Sequence, residues 1–351
     1  MTATAQGTMK LPNTKANIFF LVGFPRSGTT WFSNLLNSNQ KIIYRHEIIG
    51  RDYEIFGKSL FAALKYNNGL SDEEYYKVIT HISEARVDTD KPPFFFKPTG
   101  FLRYKHFHYY MWLLAKFAPI FQKVYKILFS IKKLDNLYFL IKETRSTQNL
   151  ASIIAGLRPA AILFLVRQPH GSIASHIKGI EKGTMKDISI NKKVAWYCSN
   201  QNTSYIKEIG LTEEQVTNMT NAEYLALHWR IYHDDLLIIS QRLSNAHFIS
   251  YEDCVENTEF HVKALFMILG LKFNKRVNDF INESSGKEKK NLIHRDASDD
   301  YYSVYRKESF NHRSWMTELM PEDIKSIHKH TDSTYEAIKL LVPKSCNQMT
   351  T

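Results

Sequence analysis

Between the apolar run Phe19-Phe20-Leu21-Val22 and Trp31, the sequence gathers Gly23, Pro25, Arg26, Ser27, Gly28, Thr29 and Thr30 into one short stretch. Two glycines, a cation and three hydroxyls, placed where a buried strand gives way to a helix, are the parts of a backbone phosphate cradle. Successive main-chain N–H groups of such a turn converge on one point, and the following helix presents its positive dipole end there. Gly23 and Gly28 have the separation of a P-loop, but Thr29 stands where a P-loop has the lysine that reaches the β- and γ-phosphates. With Arg26 inside the loop instead, the stretch suits a ligand whose chain ends after one phosphate and one more anionic group. It is not built for a nucleoside triphosphate.

A second apolar run, Ala161 to Val166, ends at Arg167 and passes through Gln168-Pro169 into a helix that carries Ser175. An arginine at the carboxyl end of a strand can fork onto an anion. A serine about two helical turns on can donate one more bond to it. One cradle and one separate arginine–serine pair imply a nucleotide with phosphates at two places.

With both motifs in order, Pro25 to Trp31 and then Arg167 with Ser175, the chain resembles the sulfotransferases that use 3′-phosphoadenosine 5′-phosphosulfate (PAPS). A third element of that family is matched by Phe248 to Asp253, where a strand ends in Tyr251-Glu252-Asp253. The resemblance spans about residues 17 to 320. It implies that the 25–31 loop cradles the 5′-phosphosulfate, that Arg167 and Ser175 hold the 3′-phosphate, and that Trp31 and Tyr251 lie at the adenine. Arg306, followed by Lys307 and later Trp315, is similar to the run that closes on the 3′-phosphate in the cytosolic branch. Glu308 replaces that run's first glycine, and the spacing to tryptophan is longer. The implied fold is α/β, a P-loop NTPase-like three-layer arrangement with a central parallel sheet flanked by helices. The implied donor is PAPS, the product PAP, and no metal is required.

Sulfuryl transfer needs a base for the acceptor's proton and positive charge around the departing and non-bridging oxygens. Arg26 is the candidate on the leaving-group side. In tyrosylprotein and several bacterial members a glutamate after the loop helix is the base, and Glu47 stands at a similar distance. The cytosolic branch has a lysine-threonine-histidine run on its second strand; here it reads Lys142-Glu143-Thr144, so that histidine base does not carry over. Lys142 matches the branch's lysine and is placed to steady the transferring group. Glu143 is a second candidate base, being similar to carbohydrate sulfotransferases, and His46, His106 and His108 complete the set. A surface carboxylate at Glu47 and a strand-end ion pair of Glu143 with Arg145 are the plain alternatives.

Composition agrees with an enzyme of this size. With 44% hydrophobic and 23% charged residues, the 351-residue chain can bury a sizeable core. A net charge of +11 favours anionic ligands. Nucleic acid is disfavoured, since no zinc-finger spacing, RRM signature or dense basic tract is present. Three cysteines, Cys198, Cys254 and Cys346, without a C-x-x-C argue for a reducing compartment. The start is polar, and no stretch reaches the ~18 apolar residues of a membrane span, so a cytoplasmic location is expected.

The reading of the chain is a flexible 1–16, a single domain over 17–345 and a tail over 346–351. Strands are expected at 18–24, 138–142, 161–166 and 246–250. Helices are expected at 30–37, 71–84, 147–155, 170–179, 221–243, 258–269 and 321–341. The polar run 282–300 is the candidate mobile loop. An insertion over 94–135 is dense in aromatic and basic residues. Leu113, Phe117, Ile120, Phe121, Val124 and Leu128 can share one helical face, with Pro119 breaking or kinking it. It reads as a lid over an apolar acceptor, a peripheral membrane contact, or an ordinary helix packed on the sheet. The acceptor is left as a small molecule, lipid or glycan offering a hydroxyl or amine, and the oligomeric state is open. The competing functions are a P-loop kinase or NTPase and a nucleotide-binding membrane-surface protein that transfers nothing.

Overall fold

In the computed structural model of the chain, the described residues are 17–51, 71–131, 137–144, 150–285, 304–306 and 310–343. Five strands form one sheet: β1 (Asn17–Val22), β2 (Ile42–His46), β3 (Tyr138–Glu143), β4 (Ala161–Val166) and β5 (Ala246–Ser250). Their order is β2-β3-β1-β4-β5, and every pairing is parallel. Strands buried on both faces read as near-continuous apolar runs, as β4 (AILFLV) does throughout and β1 (NIFFLV) does after Asn17. Ile18, Phe20 and Val22 face one core, which holds Ile141, Phe164 and Trp229. Phe19 and Leu21 face the other, with Trp31, Leu163 and Phe266. Helices cover both faces, giving the three-layer α/β fold that the motifs implied.

The chain visits β2 and β3 on one side of β1 before crossing to β4 and β5 on the other. The connections leaving the carboxyl ends of β1 and β4 therefore part, opening a crevice where ligands of such sheets bind. The two phosphate motifs follow those two strands.

The expected strands are all present. β2 was not expected; it is the short edge strand IIYRH. Of the expected helices, that at 321–341 has the observed bounds Pro321–Leu341, and the others shift by one to three residues. Residues 147–149 and 286–300 lie outside the described residues. The single face drawn through Leu113 to Leu128 is corrected. The structure makes two helices, Lys105–Phe117 and Ile120–Phe129, separated at Ala118-Pro119. Proline there lacks the N–H needed to continue the first helix, so it starts the second.

One buried ion pair fixes β2 to the rest. Arg45 Nη1 lies 2.6 Å from Asp90 Oδ1, and its Nε donates to the Ile82 carbonyl at 2.8 Å. Asp90 Oδ2 accepts from the Tyr125 hydroxyl at 2.9 Å and from the Arg86 N–H at 3.1 Å. Burial pushes the Asp90 carboxyl up from its ordinary range, while Arg45 and the Tyr125 hydroxyl favour its charge. Asp90→Ala would leave Arg45 buried without a counterion, so urea unfolding is expected to show a loss of roughly 3–5 kcal/mol. An unchanged unfolding midpoint would mean that the pair does not secure β2.

Candidate active site

The turn after β1 is held in a backbone shape that few residues adopt. Arg26 has φ 72° and Gly28 φ 87°, both left-handed. Glycine meets that demand freely, whereas arginine does so only when its surroundings impose it. A Cβ on Gly28 would sit 2.2 Å from the Tyr251 ring, and one on Gly23 2.8 Å from the Leu165 carbonyl oxygen. Close approach thus requires glycine at both positions, and at Gly28 the left-handed backbone requires it as well. Helix α1 (Thr29–Asn37) starts at Gly28 with no side-chain cap, so its first N–H groups are not spent on a capping oxygen.

Pro25, Arg26, Gly28, Thr29, Thr30 and Trp31 line a cleft of about 710 Å³. Ser27 does not line it; its side chain is wholly buried, beside Gly23.

Arg167, at the end of β4, donates from Nη1 to the Arg26 carbonyl at 3.0 Å, and its guanidinium lies 4.9 Å from the Tyr251 ring. Gly171 leaves room for it, since a Cβ there would be 2.9 Å from Arg167 Nε. Ser175 Oγ accepts from Arg26 Nε at 3.2 Å. The arginine and serine read as one pair are therefore joined through Arg26, and all three side chains border the same cleft. Arg306 reaches the cleft from far along the chain. Its guanidinium lies 3.6 Å from the Trp31 ring and 5.5 Å from that of Tyr251. Trp31 Nε1 donates to Ser284 Oγ at 3.2 Å, which fixes the ring's edge. Sequence reasoning did not single out Glu252, whose Oε1 accepts the Gln168 N–H at 3.1 Å and so ties the turn after β4 to the turn after β5.

Across the cleft stands Glu47, just past β2, with φ 49°. Its Oε1 accepts from Lys142 Nζ at 2.9 Å and from Thr144 Oγ1 at 3.1 Å. Lys142 Nζ is also 3.4 Å from Thr30 Oγ1, so the lysine bridges the loop helix and the carboxylate. Thr144, one residue past β3, lies on the same side as Lys142, as residues two apart along extended chain do. Glu143, between them, turns away: its Oε1 accepts the Ile49 N–H at 2.9 Å, and it is not among the residues lining the cleft. His46 does line the cleft, with Nδ1 2.8 Å from the Tyr44 hydroxyl and Nε2 3.9 Å from Glu47 Oε2. His106 and His108 lie on the Lys105–Phe117 helix outside it. His108 is packed against Tyr125, and burial, with Arg45 and Lys97 nearby, pushes its pKa down to about 3. The sequence offered no sign of Thr144 as a partner of Glu47 beyond its place two residues after Lys142.

A family profile for the sulfotransferase domain matches residues 17–340, nearly the whole chain. The chain belongs to the sulfotransferase family. It is similar to the sulfotransferase domain of the Synechococcus PCC 7002 olefin synthase, at 15% identity over 91% of this chain and 96% of that one, with a TM-score of 0.44. It is also similar to mouse sulfotransferase SULT7A1 complexed with PAP, at 14% identity over 93% and 88% of the two chains and a TM-score of 0.44. The sulfotransferase STF9 from Mycobacterium avium matches at 12% identity over 92% and 77%, with a TM-score of 0.39. No curated protein matches the sequence.

In this sulfotransferase the Glu47 carboxyl is under opposing influences. Burial raises its pKa, but the Lys142 charge, His46 and the hydrogen bonds from Lys142 and Thr144 outweigh it and bring it from 4.5 to about 2. The native carboxylate is thus depressed relative to the unfolded chain. Its contribution to stability is present above pH 4.5 and is lost as pH falls from there toward 2. In Lys142→Met the dominant lowering influence is gone while burial remains, so the Glu47 pKa should rise by more than one unit. A carbon-13 carboxyl NMR titration of the variant reads it directly; a Glu47 still titrating near the wild-type value would show that Lys142 does not set it.

Proposed function

We propose that the protein transfers a sulfuryl group from PAPS to a hydroxyl or amine, with Glu47 as the general base. The observation that carries this reading is the meeting of Glu47, Lys142 and Thr30 at one cleft with the Arg26–Gly28 turn. A carboxylate able to take a proton, the ammonium paired with it and an uncapped helix start share one cavity. Two buried donors in the same region also support an anionic ligand. Arg167 Nε and Arg306 Nη2 have no hydrogen-bond partner among the described residues. Unsatisfied buried guanidinium nitrogens are costly unless a ligand completes them.

The donor, when bound, supplies an activated sulfuryl group on a phosphosulfate anhydride. The 25–31 turn and Arg26 would hold its 5′ end, and Arg167, Ser175 and Arg306 its 3′-phosphate. Trp31 and Tyr251 would border the base. On the acceptor side, Glu47 Oε1 or Oε2 takes the proton of the attacking hydroxyl or amine. Thr144 keeps that carboxylate oriented, and Lys142 holds positive charge between the base and Thr30. Glu143 is retained as a positioning group, fixing the turn after β2 through the Ile49 N–H. The domain is read as one unit over 17–345. With Cys254 buried and Cys198 exposed as free thiols, a reducing, cytoplasmic setting fits.

Calorimetric titration with PAP and, in parallel, with ATP·Mg²⁺ tests the donor. PAP is expected to bind, and Arg167→Ala to weaken it on the order of 10-fold or more, with little response to ATP. Preferential ATP binding would move the protein to the kinase or NTPase reading. Once an acceptor is found, Glu47→Gln is expected to lower kcat by about 10²–10⁴, and Arg26→Ala to cost on the order of 100-fold or more. Full activity in Glu47→Gln would transfer the base role to His46, which lines the cleft beside it.

A further inference from the structure

Sulfuryl transfer leaves one large feature unused, the hairpin formed by the helices Lys105–Phe117 and Ile120–Phe129. Each helix has an apolar face turned inward: His108, Trp112 and Ala115 on the first and Tyr125 and Phe129 on the second are buried. Each also has an apolar face turned outward. Phe107, Tyr110, Leu114 and Phe117 recur at helical spacing on the first, and Ile120, Val124 and Ile127 on the second, all of them exposed. The solvent-side face of an ordinary surface helix is polar instead. Exposure peaks where the helices meet, at 76% for Phe117 and 79% for Ile120. The tip of the hairpin is thus its most exposed apolar point, and a contiguous patch of this kind marks a contact surface.

Charge selects the partner. From Asp90 to Asp135 the sequence contains no intervening acidic residue, while the hairpin and its approach carry Arg103, Lys105, Lys116, Lys123 and Lys126. Lys116 Nζ lies 5.1 Å from the Trp112 ring and 5.6 Å from the Phe117 ring, so its charge borders the apolar tip. Lys126 reaches back to Glu84 at 2.8 Å. An apolar ridge with basic side chains at its border, Lys116 at the tip among them, complements the interface of a bilayer, where acyl chains lie under anionic headgroups. No described helix is long and apolar enough to cross a membrane, so the contact would lie on the surface. We infer that the 101–129 hairpin docks on anionic lipid bilayers, with Phe117 and Ile120 inserted at the headgroup–acyl boundary and the lysines against the headgroups. The hairpin is no loose tether. His108 Nε2 lies 2.8 Å from the Tyr125 hydroxyl, which donates to Asp90, itself paired with Arg45 two residues before Glu47. Docking would therefore hold the catalytic strand beside the bilayer.

Co-sedimentation of the full chain with phosphatidylcholine vesicles, with and without phosphatidylserine, tests this. Binding is expected only to the vesicles with phosphatidylserine, and it should weaken as salt is raised. The double variant Phe117→Asp/Ile120→Asp should lose on the order of 100-fold in vesicle affinity. It should keep its unfolding temperature and its PAP binding, because both side chains are exposed and outside the cleft. That PAP titration also separates failure of the donor assignment from failure of this inference. Absence of vesicle binding, equal binding to pure phosphatidylcholine, or a double variant that binds like the wild type would each overturn the inference. So would a concentration-dependent dimer, seen by sedimentation velocity and abolished by the double variant, which would assign the face to a second copy of the chain.

Discussion

The structure depends on how closely three distant segments approach one another at the turn after β1. Gly28 lies against the Tyr251 ring and Gly23 against the Leu165 carbonyl, with no room for even a methyl group at either contact. Because β4 and β5 are pressed onto this turn, Arg167 can donate to the Arg26 carbonyl and Tyr251 can border Arg167 and Arg306. The left-handed backbone at Arg26 costs of order 1–3 kcal/mol in isolation, so it persists only where such contacts over-determine it. The cradle and the arginine–serine site are therefore one object. Its geometry is set by glycines, and the charged side chains are hung on it afterwards.

The same logic places the opposite wall. β2 is a short edge strand with modest apolar content, and what fixes it is Arg45, buried beneath the sheet against Asp90. Register then does the rest. His46 pairs with Lys142 across β2 and β3, and the Glu47 N–H donates to the Lys142 carbonyl at 3.0 Å, so carboxylate and ammonium leave the two strands at the same level. Glu47 itself adopts a left-handed conformation, the second such non-glycine residue lining the cleft. Strain on both walls of one cavity fits a site where position outweighs local comfort.

Much of this was legible in the residues. β1 and β4 announce themselves because parallel strands buried on both faces read as near-continuous apolar runs ended by turns. β2 was not legible, since IIYRH carries an arginine and a histidine whose burial makes sense only once Asp90 and Tyr44 are beside them. The helices between 190 and 218 were missed for a related reason: Ile190–Asn200 mixes apolar and polar residues and buries Lys193 rather than an apolar stripe, so little periodicity marks it. Glu47 was reachable from its distance to the loop helix. Its partners were not, because Lys142 and Thr144 come from a strand about 95 residues away in sequence. One signal was present and unused. In a strand, neighbours point to opposite faces, so Lys142 and Glu143 were never able to share a side, and choosing the lysine already disfavoured the glutamate.

A pKa of about 2 is low for the base proposed above, and its cause is local. Burial alone would raise the Glu47 pKa, so the depression is owed chiefly to one neighbour, an ammonium 2.9 Å away that also lies 3.4 Å from Thr30 at the start of the loop helix. Each unit of pKa corresponds to about 1.4 kcal/mol of differential interaction. Any anion that draws the Lys142 charge toward the loop therefore gives proton affinity back to Glu47. In the reaction proposed above, an anionic donor held at the loop would strengthen Glu47 as a base in this way.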